Sequence, residues 1–353
     1  MGIRVRALQA NHGDCILVTH EGPHGTFNLL IDGGNAGTFK YGQQERMRGE
    51  LCKLLDELKA LGQHLDLVIL THIDDDHIGG LLKAFKAPGY GQLVKSVWFN
   101  SSRLITDHFN CPEIPENDIY LPDSSPETSV RQGKKFEELL DQLGVERGQI
   151  VLAGQEIAKG PFTFSILSPN EAQLRRLLCI WPVEKTSANT SADATDYSMS
   201  LEQFWADDSF ESDTSIANGS SIAFMLQADN QKMLFLGDAY DTCTVESLKQ
   251  LGYSELNKLH LDLVKVSHHG SQYNTSSDFL SMISAARYVI STNGARHGLP
   301  NKRTVARILA SGDGKICFNY PKVAASMLLP NELHLYAGRL EVVNQIEFDH
   351  DDR

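Results

Sequence analysis

The sequence predicts a mixed α/β fold in which buried β-strands alternate with amphipathic helices. Short apolar runs such as residues 67–70 are bounded by polar loops, which is typical of strands buried on both faces. Apolar residues recur at spacings of three and four over residues 43–61, which indicates a helix with one buried face. Several predicted strands end in acidic or histidine residues, so these side chains are expected at one edge of a sheet.

The first half of the chain begins with strands. Apolar patterns predict strands at 3–8, 15–18 and 27–31, and the helix over 43–61 leads to the strand at 67–70. A further strand is expected near 94–99. Residues 100–128 contain four prolines and predict a long surface excursion. A helix is then expected over 136–143, followed by strands at 150–152 and 162–167.

The second half continues with the same alternation. Residues 184–219 are rich in Ser, Thr, Asp, Asn and Ala and predict a mobile insertion or lid. Strands are expected at 221–226, 233–236, 261–266 and 288–291, with a helix at 302–311 and a frayed acidic tail at 347–353. We therefore predict a single domain over residues 1–353, with surface insertions at about 100–128 and 184–219.

Composition is that of a soluble globular protein with a sizeable core. The chain has 353 residues, of which 41% are hydrophobic and 22% charged. It lacks an apolar run near the ~20 residues that cross a bilayer, and its six scattered cysteines predict free thiols and a cytoplasmic location. The net charge of −13 weighs against tight nonspecific binding to nucleic acid. Hydrolysis of a short or single-stranded substrate at a metal centre remains compatible with it.

The densest group of ionisable residues follows the strand at 67–70. Residues 72–77 hold two histidines and three carboxylates, which cannot stay close together in a partly buried loop without a balancing cation. A divalent metal supplies that charge. His72 and Asp74 can point to one side of an extended segment while Asp76 and His77 follow the turn, so the loop could serve two metal positions. The alternative is a polar loop in which Asp76 caps the helix that follows.

Four motifs together carry a resemblance to a known family. They are GDCILV followed by LLIDGG, THIDDDHIGG, Asn-Gly-Ser-Ser before FLGD, and SHHGS. The chain resembles the metallo-β-lactamase-fold hydrolases from its first strand to about residue 311, and most of all the soluble hydrolase domain of ComEC/Rec2-type DNA-uptake proteins. The resemblance implies a four-layer αβ/βα sandwich of two mixed sheets with metals at one edge.

The resemblance also implies a metal centre built from strand ends. The ligands that it implies are His72, Asp74, Asp76, His77, Asp238 and one of His268 and His269. Asp74 replaces the middle histidine of the family's HxHxDH loop, and the third-motif histidine has no counterpart. One or two divalent ions are expected, and the shift towards oxygen ligands admits Mn²⁺ beside Zn²⁺.

Other residues are expected to support the chemistry. Asp76 would orient or deprotonate the attacking water, and His297 or His269 could donate a proton to the leaving group or steady a phosphoryl oxygen. Asp32 and Asp14 are expected to fix the ligand loop by hydrogen bonds.

Three residues are candidates for contact with the substrate. They are His12, Asn218 and Ser220, the last two lying where the family has its third-motif histidine. His12 and His297 are equally compatible with ordinary surface histidines.

Three functions fit these observations. The first is a phosphodiesterase or nuclease-like hydrolase, which a pocket lined by Arg296, Lys302 and Arg303 would favour. The second is a hydrolase of a small ester, lactone or thioester, which the negative net charge favours. The third is a non-catalytic binding protein with a degenerate metal site, suggested by the missing histidine. The expected partner is a small-molecule or short nucleic-acid substrate; the sequence indicates no membrane and no protein partner, and leaves the oligomeric state open.

Overall fold

The computed structural model describes residues 2–110, 128–180 and 195–349. Its strands are β1 Gly2–Ala7, β2 Ile16–Gly22, β3 Gly25–Ile31, β4 Lys40–Tyr41, β5 Met47–Arg48, β6 Leu67–Ile69, β7 Ser96–Trp98, β8 Glu146–Arg147, β9 Glu156–Lys159, β10 Phe162–Ser168, β11 Ala223–Ala228, β12 Gln231–Phe235, β13 Leu259–Leu261, β14 Leu263–Lys265, β15 Ile283–Ala285, β16 Arg287–Ile290, β17 Lys315–Phe318, β18 Leu340–Val342 and β19 Gln345–Asp349. Its helices are α1 Ala36–Phe39, α2 Glu50–Ala60, α3 Asp75–Lys86, α4 Ser102–Phe109, α5 Thr128–Leu143, α6 Glu171–Ile180, α7 Leu201–Ala206, α8 Ile216–Gly219, α9 Asp241–Gln250, α10 Ser277–Ser281, α11 Lys302–Ser311, α12 Pro321–Ser326 and α13 Pro330–Tyr336.

Most of the strands form two large sheets. The first has the order β19-β1-β2-β3-β6-β7-β8, and the second has the order β18-β17-β16-β14-β12-β11-β10-β9. In the first sheet the strands from β19 to β3 pair antiparallel and those from β3 to β8 pair parallel. In the second sheet β9 to β12 pair antiparallel and β12 to β18 pair parallel. Both sheets are therefore mixed.

Three hydrophobic clusters separate the layers. One packs the outer face of the first sheet against α2, α3 and α5, and another packs the second sheet against α9, α10 and α11. The third fills the space between the sheets, where the rings of Phe164 and Phe224 lie 5.3 Å apart. Because strand residues alternate between faces, Leu29 and Ile31 join this central cluster while Leu30 joins the outer one. The predicted four-layer αβ/βα sandwich is confirmed.

Several predicted elements differ in the structure. The helix predicted over 43–61 begins at Glu50, because residues 40–48 form the β4–β5 hairpin and Gly49 is extended. Residues 150–152 form no strand; the backbone of Val151 instead exchanges two 2.9 Å hydrogen bonds with the Asn100 side chain. The strand predicted at 261–266 is divided at Asp262 into β13 and β14.

The two predicted insertions and the tail also hold regular structure. The excursion at 100–128 contains α4, and its residues 111–127 lie outside the described residues. Of the predicted mobile insertion, residues 184–194 lie outside the described residues and 195–219 include α7 and α8. Trp205 in α7 donates to the carbonyl of Ala306 at 2.8 Å, which fixes α7 on α11. The tail forms β19 as far as Asp349, and residues 350–353 lie outside the described part.

The parallel strands of both sheets place polar residues at their carboxyl ends. Asp32 follows β3 and His72 follows β6, while Asp238 follows β12 and the pair His268-His269 follows β14. These ends meet at one edge of the sandwich. In the parts of the chain that the structure describes, no helix is long and apolar enough to cross a bilayer.

Candidate metal centre

One carboxylate oxygen lies at the middle of this edge. Oδ2 of Asp238 is 3.3 Å from Nε2 of His77, 3.7 Å from Nε2 of His269, and 3.8 Å from Nε2 of both His72 and His268. Asp76 completes the group, with its Oδ2 3.3 Å from Nε2 of His269 and 4.0 Å from Nε2 of His77. The structure thus brings together residues from both sheets that are separated by nearly two hundred positions in sequence.

Hydrogen bonds at the far side of each ring set the histidine tautomers. Nδ1 of His72 lies 3.1 Å from the Thr71 hydroxyl, which itself donates to Asp32, so this nitrogen donates. Nδ1 of His77 donates to Asp32 at 2.8 Å, and Nδ1 of His269 donates to the carbonyl of Ser291 at 3.0 Å. In all three rings the Nε2 lone pair therefore faces the centre.

These inward atoms fit a divalent cation. Nε2 of His72, His77 and His269 and Oδ1 of Asp238 are buried without a hydrogen-bond partner in the described structure, which is costly unless something binds them. Direct N–H···O bonds span about 2.7–3.2 Å. Two ligands of one tetrahedral ion, each about 2.0–2.2 Å from it, lie about 3.3–3.6 Å apart. The distances between the ligand atoms here, 3.3–4.0 Å, are at or above the range expected for two ligands of one ion, and they exceed the range for direct hydrogen bonds.

The ligand atoms form four overlapping groups of three. His72, His77 and Asp238 make one, Asp76, His77 and His269 make another, and Asp14 belongs to the two others, one with Asp32 and His77 and one with Asp238 and His269. Asp74 adds an oxygen 3.6 Å from Nε2 of His72. Two adjacent ions sharing Asp238 are compatible with these groups.

Charge explains why the cluster needs a cation. Burial would lower the pKa of His77, but the carboxylates of Asp238, Asp32 and Asp76 outweigh it and raise that pKa well above the usual value. Burial likewise opposes a raised pKa at His269, yet Asp238 and Asp14 raise it to about 10. A divalent cation bound between these groups would balance the same carboxylates.

The ligand loop enters helix α3 differently from the sequence prediction. The helix begins at Asp75, so Asp74 is its N-cap residue and makes no capping hydrogen bond with its side chain. Asp76 lies in the first turn rather than at the cap. Its side chain is 23% exposed and that of Asp74 is 32% exposed, whereas His72 and His77 are fully enclosed. The open side of the centre is therefore lined by these two carboxylates.

The two adjacent histidines at 268 and 269 have different surroundings. His269 is buried and belongs to the group with Asp76 and His77. His268 keeps a quarter of its side chain exposed, and its Nδ1 lies 3.0 Å from Oδ1 of Asn274. Both residues have positive φ, 44° and 53°, which turns their side chains in different directions. Geometry thus places His269 inside the cluster and His268 at its open rim.

Asn218 and Ser220 are buried in the loop before β11. Asn218 donates to Asp213 at 2.8 Å and lies 3.4 Å from Nδ1 of His268, and the Ser220 hydroxyl donates to the carbonyl of Ala217 at 2.6 Å. Contact of either residue with a substrate stays a prediction. Neighbouring Ser221 instead supports the centre, because its hydroxyl accepts from the Asp238 backbone at 3.0 Å.

His12 and His297 lie on loops around the edge. Burial lowers the pKa of His12, partly opposed by Asp76 and reinforced by Arg296 and His269, so this half-buried ring is close to the centre. His297 is exposed and has φ of +56°.

The predicted supports are in place, and a further residue joins them. Asp32 accepts from the backbone and hydroxyl of Thr71, both at 2.8 Å, as well as from His77. Asp14 pairs with Lys265 at 2.5 Å, a residue that the sequence analysis did not single out. Burial would raise the pKa of Asp14, but Lys265 and His269 lower it to about 2. In the sequence, Lys265 stands out only as a charged residue within an apolar strand, and a lysine at such a position needs a buried partner.

Comparison with known proteins agrees with the predicted resemblance at the level of the superfamily. Residues 8–109 match the family described as the metallo-beta-lactamase superfamily, while no curated protein matches the chain. Solved structures of similar fold include the metallo-beta-lactamase fold protein YhfI from Bacillus subtilis, at 14% identity and a TM-score of 0.44, covering 99% of this chain and 100% of that one.

Two further structures cover 98–99% of this chain. Zn²⁺-bound PqqB from Methylobacterium extorquens has 11% identity, a TM-score of 0.45 and 99% of its own length covered. Unliganded yeast PDE1 has 10% identity, a TM-score of 0.40 and 99% of its length covered. Residues 8–109 of this chain, which include the ligand loop, are thus a match to the metallo-beta-lactamase superfamily, and the two mixed sheets are consistent with its fold.

Proposed function

We propose that the protein is a metal-dependent hydrolase whose centre holds two divalent ions, Zn²⁺ or Mn²⁺. The observation that carries this proposal is the set of three inward Nε2 atoms around the Asp238 carboxylate. Asp76, His77, His269 and Asp238 would hold one ion. His72, Asp74 and Asp238 would hold the other, with His268 at its open side. Such ions supply Lewis acidity and make water nucleophilic near neutral pH.

The chain's own residues would orient the reaction. Asp76 reaches the open side and is positioned to hold the attacking water by a hydrogen bond. His269 is unsuited to the alternative role of proton donor, because it is buried, its Nδ1 donates to the Ser291 carbonyl, and its Nε2 would bind the ion. His297, on the exposed loop beyond β16, is retained as the candidate that contacts the leaving group.

A phosphodiester, as in a nucleotide or short nucleic acid, is the substrate class that we favour. Burial lowers the pKa of His12, the Asp76 carboxylate opposes this and the Arg296 guanidinium adds to it, so a cation lies within electrostatic range of a ring that is itself close to the centre. An anionic phosphoryl group would meet both the ions and this guanidinium. This also agrees with the likeness to ComEC/Rec2-type hydrolase domains in sequence, which we keep as part of the proposal.

A small ester, lactone or thioester is the second candidate. Two of the three cations expected to favour a phosphodiester are used elsewhere: Lys302 pairs with Glu332, and Arg303 donates to the carbonyl of Asp207. A less charged substrate needs fewer cations than a phosphodiester. The degenerate binding protein is the third candidate, since the cluster lacks a histidine at the position of Asn218.

Metal content and hydrolysis test the proposal together. We expect about two ions per chain by mass spectrometry, and cleavage of bis-p-nitrophenyl phosphate with added Mn²⁺ or Zn²⁺. Asp76→Asn and Asp238→Asn should lower the rate by about 100-fold or more while the circular dichroism spectrum stays unchanged. Asp313→Asn, a fully exposed position before β17 at the opposite edge, is the matched control.

Each outcome selects one candidate. Bound metal with cleavage of p-nitrophenyl esters or lactones, but not of phosphodiesters, would favour the second candidate. Absence of both bound metal and hydrolysis under either ion would overturn the enzyme proposal and favour a binding protein.

A further inference from the structure

A buried lysine lies directly behind the metal centre. Lys265 is the last residue of β14, and its side chain is 1% exposed. Its stem lines a small cavity between the two sheets together with apolar residues such as Ile16 and Phe235. Its ammonium group donates to Oδ2 of Asp14 at 2.5 Å and to the carbonyl of Val266 at 2.9 Å. A cation in such a place must be compensated, and Asp14 compensates it.

Asp14 connects this ammonium group to a candidate metal ligand. Oδ2 is taken by Lys265, and Oδ1 lies 3.4 Å from Nδ1 of His269. The backbone of Asp14 is fixed as well, since its N–H donates to the carbonyl of Asp76 at 3.2 Å and its own carbonyl accepts from Gly34 at 2.7 Å. Lys265 thus holds the carboxylate of Asp14 by Oδ2, and this leaves Oδ1 facing the His269 ring.

The imidazole of His269 receives two contacts on its outer nitrogen. Nδ1 lies 3.0 Å from the Ser291 carbonyl and 3.4 Å from Asp14. Nε2 on the opposite side of the ring is aimed at Asp76 and Asp238. The Ser291 carbonyl accepts the Nδ1 proton and sets the tautomer, while the Asp14 carboxylate at 3.4 Å makes no hydrogen bond to the ring and acts on its orientation as a neighbouring charge. Lys265 fixes that carboxylate in turn.

We propose that Lys265 is a positioning residue for the metal centre, acting through Asp14 to hold His269 with Nε2 towards the ion shared with Asp76 and His77. The inference rests on the proposed metal centre. It predicts an asymmetric effect, because the ammonium group of Lys265 bonds to Asp14 and the Val266 carbonyl and not, in the described part of the chain, to His72 or Asp74. Loss of its ammonium group should weaken the ion held by His269 and leave the other ion largely unchanged.

The chain contains a matched control for a purely structural role. Lys302 is equally buried, and its ammonium group pairs with Glu332 at 2.7 Å. Glu332 also accepts from the backbone N–H groups of Leu201 and Leu329, and among the described residues it makes no hydrogen bond or ion pair with a histidine of the centre. Removal of either lysine leaves a buried carboxylate without its cation. The two replacements therefore share a stability cost but differ in their connection to the ligands.

Metal binding by Lys265→Met and Lys302→Met tests the proposal. Binding of Zn²⁺ is measured by calorimetric titration of the metal-free protein, and the ligand field by the visible absorption of bound Co²⁺. We expect Lys265→Met to lose about 10–100-fold in affinity for one of two ions and to shift the Co²⁺ bands. Lys302→Met should lower the melting temperature while keeping the affinity and the spectrum of the wild type.

If Lys265→Met does not fold, a double variant can be measured in its place. Lys265→Met combined with Asp14→Asn leaves no unpaired buried charge, so it should regain stability. It should still bind the affected ion about 10-fold or more weakly, because the charged support of His269 is gone. Wild-type affinity and spectrum in the folded single or double variant would overturn the role of Lys265. Failure of the wild-type protein to bind metal would instead overturn the proposed function.

Discussion

At the scale of single residues, the centre depends on what lies behind each imidazole. Three different acceptors, the Thr71 hydroxyl, the Asp32 carboxylate and the Ser291 carbonyl, take the outer N–H of His72, His77 and His269. Each bond leaves the inner nitrogen free to bind an ion. Sequence motifs indicate the candidate ligands, but they do not show which atom of a ring faces inward.

Asp241 provides a test of stability that is separate from the metal centre. This buried carboxyl accepts from the backbone N–H of Ser276 at 2.7 Å. Burial raises its pKa from 3.8 to about 6, although the Ser276 hydrogen bonds and Arg307 lower it and Asp278 raises it further. Between about pH 4 and 6 the native state therefore binds more protons than the unfolded state. Proton binding by Asp241 therefore stabilises the native state fully below about pH 4, and this contribution to the free energy of unfolding is lost as the pH rises through about 6.

Replacement by asparagine should remove this dependence, because an amide can still accept from Ser276 and carries no charge. We expect Asp241→Asn to become more stable relative to wild type as the pH rises from about 4 to 7, by up to roughly 3 kcal/mol. Urea unfolding of both proteins at about pH 4.5 and pH 7.5 measures the difference. An equal difference at the two pH values would contradict the raised pKa of this carboxyl.

At the scale of elements, close backbone contact holds the ligand loop against the turn after β1. A Cβ placed on Gly13 would lie 1.8 Å from the backbone oxygen of Asp76, and one on Gly80 would lie 2.0 Å from that of Gly33. A side chain at either glycine would therefore push α3 away from the loop that it contacts. The absence of side chains at Gly13 and Gly80 therefore sets the position of Asp76 relative to the first sheet.

Gly13→Ala tests this packing. The added methyl group should displace the Asp76 segment, lower the free energy of unfolding by about 1–3 kcal/mol and weaken metal binding. Gly338→Ala is the control, since a Cβ there meets nothing within 4 Å. Thermal melting and Zn²⁺ titration of both variants measure the two effects. Normal metal affinity in Gly13→Ala would mean that the loop can move without disturbing its ligands.

Most elements could be predicted from periodicity, and the exceptions have physical causes. Strands 27–31 and 67–70 were predictable because apolar runs buried on both faces have few alternatives. The segment 195–219 was not, because its polar residues serve as caps and tertiary acceptors. Ser200 forms a capping box with Gln203, and Asp196 accepts from the backbone of Lys302 and Arg303. Composition does not distinguish such residues from those of a solvated loop.

The sequence indicated the candidate ligands and two of their supports, Asp32 and Asp14, but not the third support, Lys265. Density of His and Asp in residues 72–77 pointed to a metal, since burial of that charge requires a cation. The choice between His268 and His269 depends on two consecutive positive φ values, which no periodicity reveals. Lys265 was missed because its partner Asp14 lies 251 residues earlier in the chain.

At the scale of the whole molecule, the two sheets have similar plans. Each combines an antiparallel meander with a set of parallel strands, and in each the carboxyl ends of parallel strands carry candidate ligands. The first sheet supplies the loop with His72 and Asp76, and the second supplies Asp238 and His269. The Lys265–Asp14 pair joins the sheets just behind this centre. Metal binding should consequently depend on how the two sheets dock on each other.

The end of the described chain returns to complete the first sheet. Strand β19 pairs antiparallel with β1 over residues 345–349, and it buries Ile346 and Phe348 against the central cluster. The charged Glu347 between them points the other way and lies 3.4 Å from Arg4. Without β19, the edge of β1 would expose unpaired backbone groups and part of the core between the sheets.

A chain ending at Asn344 should therefore be less stable than one ending at Asp349. Exposure of Ile346 and Phe348 costs about 1.5–3 kcal/mol each, and the hydrogen bonds to β1 are lost as well. Release of the ordered strand offsets part of this cost, so we expect a net loss of a few kcal/mol at most. Melting temperature and urea unfolding of the two truncated proteins measure the loss, with the full chain as reference. The chain ending at Asp349 keeps every pairing with β1 and should match the full chain. Equal stability of both truncations would mean that β1 closes the sheet without β19, and that the central cluster does not need the returning strand.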